Sequence, residues 1–130
     1  MKAICAATGL VCLLAASARA GCPAVPAGSA LMVEGPVQAV WQADPSPITV
    51  GRPFALLLTL CPADAVLLKV DATMPEHRHG MNYRPSLKPL GQGQWRVEGL
   101  LWHMSGRWEL TLDLQAQGQD YRLRQSVSLR

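Results

Sequence analysis

The chain has 130 residues, with 12 lysines and arginines against 9 acids and 49% hydrophobic residues. So mild a balance, without a run of like charge, argues against a nucleic-acid or other polyanion partner. The length allows one modest core and excludes two domains.

Residues 1–20 place Lys2 before an apolar run from Ala3 to Ala18, with Ala18-Arg19-Ala20 as a small-x-small site. This is the three-part pattern of a secretory signal peptide cleaved after Ala20. An apolar run of about fifteen residues falls short of the ~20 that cross a bilayer as a helix, so a membrane anchor fits less well. The mature protein is expected in the periplasm or secreted, with no transmembrane segment after cleavage. Cleavage removes Cys5 and Cys12 and leaves Cys22 and Cys61, which in an oxidising compartment are expected to form a disulfide. Lipid anchoring through Cys22 is the lesser alternative: Arg19-Ala20-Gly21-Cys22 ends in small-small-Cys, but Arg19 stands where an aliphatic residue is wanted.

Residues 21–36 are rich in Gly, Pro, Ala and Val without a period and read as a lead-in. The domain proper is expected over 37–130, with short β patterns at Val37–Ala43, Phe54–Leu60, Val66–Met74, Tyr83–Leu90, Gln94–Trp102, Arg107–Leu114 and Tyr121–Leu129. About seven short strands with turn chemistry between them predict an all-β antiparallel sandwich or barrel. Val66, Leu68, Val70, Ala72 and Met74 share one face by parity. So do Trp108, Leu110, Leu112 and Leu114, and, around Gln125, Tyr121, Leu123, Val127 and Leu129. Gly91-Gln92-Gly93, Ser105-Gly106 and Gly118 read as hairpin turns.

All three histidines fall between Met74 and Met104, in Met74-Pro75-Glu76-His77-Arg78-His79-Gly80-Met81 and in His103-Met104. Strands joined by short connections alternate in direction. Parity then brings the end of the third expected strand and the end of the fifth to one pole, and sends Cys61 to the other. In an extended segment His77 and His79 point the same way. Imidazole with thioether sulfur suits copper before other metals, so His77, His79 and His103, with Met81 and Met104 as soft ligands, form a candidate copper site. Arg78 is an awkward neighbour for a metal ion, and Glu76 is a candidate to offset it. Each of these residues also has a plainer role. Met74 has the inward parity of core filler, a His-x-His pair is often only solvated, and His103 can cap the core. Trp95 and Trp108 suit inward positions, whereas Trp102 has the opposite parity and is a candidate shield or partner contact.

The segments Met74–Met81, Gly93–Leu100 and His103–Leu110 together resemble the YtkA-like domain family, over about Val66–Gln115. The chain departs from that pattern at Arg78, where a small residue is usual, and at Ser105, where a proline is. The resemblance implies an exported or tethered immunoglobulin-like β-sandwich, similar to the FixH-type accessory domains of cytochrome oxidase assembly, in a metal-handling or respiratory-assembly setting.

The expected function is a periplasmic copper-binding or copper-delivery module. The rival is a metal-free interaction module assisting assembly of an envelope or respiratory protein through a sheet edge or Trp102. No nucleophile elbow, HExxH, phosphate loop or CxxC is present, so an enzyme is not expected.

Overall fold

The structure, a computed structural model, describes residues 21–130; the expected signal segment lies outside them. Among the described residues nine strands form: β1 Ala30–Glu34, β2 Val37–Asp44, β3 Phe54–Cys61, β4 Val66–Met74, β5 His79–Gly80, β6 Ser86–Gly91, β7 Gln94–Leu100, β8 Gly106–Ala116 and β9 Gln119–Leu129. They build two antiparallel sheets, ordered β1-β2-β3-β7-β6 and β5-β4-β8-β9. Leu56, Leu58 and Leu60 of β3 meet Trp108, Leu110, Leu112 and Leu114 of β8 in one core between the sheets. The fold is thus an all-β sandwich, as the alternation predicted.

Two of the nine strands were not expected. β1 lies inside the segment read as a lead-in, and pairs Ala30–Glu34 with Trp41–Val37. Only Met32 is buried there, too little signal to stand out beside the glycines and prolines. β5 is a two-residue return of the chain alongside β4. The fourth expected strand is shorter than its pattern, since β6 begins at Ser86 and Tyr83 lies in the preceding loop. Pro85 has no N–H for a ladder, and the Tyr83 hydroxyl donates instead to the Leu101 carbonyl at 2.5 Å.

Three local irregularities decide which side chains face inward. A register shift between Leu67 and Lys69 flips the start of β4, so Leu67 is buried while Val66 and Leu68 are exposed. Gly99 takes φ +87°, beside a shift in the β3–β7 register between Phe54 and Leu56, and the alternation of β7 inverts there. Leu100 and Trp102 are therefore fully buried and His103 is exposed. Trp102, expected as a shield or contact, is core: it stacks on Trp108 at 5.3 Å and meets Phe54 edge-on at 5.2 Å. In β9 the inward Gln125 is satisfied, because its Oε1 accepts from Trp41 Nε1–H at 2.8 Å.

Cys22 and Cys61 are bonded, 39 residues apart in sequence with Cα atoms 5.5 Å apart. Cys61 pairs with Gln38 at the end of the sandwich that also holds the β1–β2, β6–β7 and β8–β9 turns. The Ser105–Gly106 turn is not a hairpin, since β7 and β8 belong to different sheets.

Candidate metal centre

Met74 ends β4 with its side chain fully buried, in the core role its parity suggested. Pro75 cannot continue the ladder, and the chain reverses through Glu76, His77 and Arg78. The His77 N–H donates to the Met74 carbonyl at 3.1 Å, and β5 then pairs His79 with Met74 and Gly80 with Thr73. Arg78 adopts φ 52°, a left-handed conformation that few non-glycine residues take. The His77–His79 segment is therefore a tight turn and not the extended run that was expected. The reversal still stacks the two imidazoles, with ring centroids 6.0 Å apart and planes 24° apart.

The second histidine loop arrives from the other sheet. β7 ends at Leu100, Trp102 drops into the core, and His103 is left on the surface beside β4, because β8 starts the strand that pairs with β4. The His103 ring lies 6.0 Å from that of His79 and edge-on to Trp108 at 5.6 Å. Met104 is half-buried, and its Sδ lies 3.3 Å from His79 Nδ1. His79 thus sits between two imidazoles and one thioether. Met81, by contrast, lines a groove with Leu68, Val70, Tyr83 and Leu87 at the side of β4.

Three polar links hold the loops in place. Trp108 Nε1–H donates to the Met104 carbonyl at 3.0 Å. Arg107 donates from Nε to Glu76 Oε1 at 2.6 Å and from Nη1 to Ser126 Oγ at 3.1 Å, tying the histidine turn to β8 and β9. The hydrogen bond from Arg107 holds the exposed Glu76 carboxyl below the usual carboxylate range. Glu76 therefore serves Arg107 and is not the counter-charge to Arg78. The third link is the bond from Tyr83 to Leu101. Arg107 and Trp108 directly follow the second histidine loop, but nothing in their spacing marks them as ties to it.

A shared ion with metal–nitrogen bonds of about 2.0 Å would need one ring nitrogen of each imidazole to point at it. Among the described residues no three His, Cys, Asp or Glu side chains converge on one point. What remains is a pair of imidazoles with a thioether beside them, open to solvent. Such a low-coordinate, soft donor set suits copper better than zinc, whose structural sites want four ligands. No family model matches the chain, and no curated protein or solved structure does.

Proposed function

We propose that this chain is an exported copper-binding or copper-delivery module, and not an enzyme, whose ligands are His79, His77 or His103, and Met104, with Met81 as an outlying thioether. The observation that carries this reading is the position of His79, 6.0 Å from two other imidazoles by ring centroid and 3.3 Å from the Met104 sulfur. The likeness of Met74–Met81 and His103–Leu110 to the YtkA-like pattern supports the same setting, and the apolar residues 3–18 support export. The test is titration of the purified chain with Cu(I) and Cu(II) beside a His77→Ala/His79→Ala/His103→Ala variant. Binding that the variant lacks supports the reading, and equal affinities refute it.

A metal-free module docking an envelope or respiratory protein is the second reading. It draws on the edge strand β6, where Leu90 is 57% exposed. Edge strands offer unpaired backbone groups to a partner.

A further inference from the structure

The fold sorts charge toward opposite ends of the sandwich. At the histidine end lie the 44–53, 75–85 and 101–107 segments, joined by Gly51 N–H to the Trp102 carbonyl and Tyr83 to the Leu101 carbonyl. These segments carry Arg52, Arg78, Arg84 and Arg107 against Asp44 and Glu76. Both acids are already engaged, Asp44 by Arg96 at 3.0 Å and Glu76 by Arg107 at 2.6 Å. Arg52, Arg78 and Arg84 are exposed and form no ion pair among the described residues.

The cysteine end is the reverse. Among the described residues its turns and the strand ends beside them carry Glu34, Asp64 and Asp120, all exposed, and no lysine or arginine. Composition hides this polarity because the two ends nearly cancel in the overall balance.

We infer that the histidine end is a docking face for a carboxylate-rich surface of a partner protein, with Arg52, Arg78 and Arg84 as its contacts. Free guanidiniums recognise carboxylates in a bidentate manner and are readily desolvated. The opposite polarity of the far end orients an approaching acidic partner toward the histidines. The inference stands whether or not a metal binds, since every group in it belongs to the metal-free chain.

The probe is an octaglutamate peptide, with octalysine, inorganic phosphate and phosphatidylglycerol vesicles alongside, titrated into the purified chain at low salt while backbone amide resonances are followed. Octaglutamate is expected to shift amides in 44–53, 75–85 and 101–107 and to be released as salt rises. An Arg52→Gln/Arg78→Gln/Arg84→Gln variant should bind it about tenfold more weakly or worse. A Glu34→Gln/Asp64→Asn/Asp120→Asn variant should bind it at least as tightly as the parent. Equal binding by the arginine variant, or shifts spread over both ends, overturns the inference. Tighter binding to the vesicles or to phosphate assigns the arginines to a phosphate ligand and overturns it too. Self-association abolished by either triple variant gives the face to a second copy, with the same consequence. Because all six residues are exposed, an unchanged spectrum elsewhere shows that the variants are folded.

Discussion

Trp102 and Trp108 stack with their planes 7° apart, yet only one of the two indoles has a hydrogen-bond partner. Trp108 Nε1–H donates to the Met104 carbonyl, whereas the buried Trp102 Nε1 has none. A buried donor without a partner offsets part of what its ring contributes. Replacing Trp102 with Phe should therefore cost less than replacing Trp108 with Phe, by about 1 kcal/mol. Urea unfolding of the two variants checks this, and equal losses would contradict it.

The disulfide lies at the end of the sandwich away from the histidines. In the chain-entropy model a loop of this size stabilises the fold by about 4 kcal/mol. Cys22→Ser/Cys61→Ser should lose most of that in denaturant unfolding while leaving copper affinity unchanged. A loss of affinity in the folded variant would mean that the two ends are coupled.

Much of this arrangement was legible in the residues. Continuous alternation from Trp108 to Leu114 marked the central strand of one sheet, and direction parity brought His77 and His103 to a common end although the chain changes sheets between them. What escaped were breaks in alternation that cost one residue each. Nothing in Val66-Leu67-Leu68 distinguishes a regular strand from one with a bulge, because all three side chains are apolar. Gly99 fits a strand or an inversion equally well, and the inversion is what buried Trp102. The extended run expected for His77–His79 is absent, since a left-handed Arg78 turns the chain there, and the two rings nevertheless lie 6.0 Å apart.

Asp113 accepts from Arg122 at 2.7 and 2.9 Å, and this bond lowers the Asp113 pKa. A carboxyl lowered in the folded state stabilises the fold above its unfolded pKa. That contribution is lost as pH falls through the lower, folded value. Arg122→Gln should thus weaken the protein slightly near neutrality and flatten the loss of stability below about pH 4. Unfolding midpoints measured from pH 2 to 7 test the sign.

Met104 and Met81 should separate cleanly. Leucine in place of methionine keeps volume and costs less than about 1.5 kcal/mol of stability. Met104→Leu should nevertheless weaken Cu(I) about tenfold or more, and Met81→Leu should have a smaller effect, by competition with a chromophoric chelator. Binding in the parent should weaken as pH falls, because protons compete with the metal for the ligands.

The most direct test is Cu(I) X-ray absorption on the parent chain and on His79→Ala. The account predicts nitrogen and sulfur scatterers together in the parent, and loss of tight binding when His79 is removed. A parent spectrum without sulfur, or a His79→Ala variant that binds copper as tightly as the parent, would contradict it.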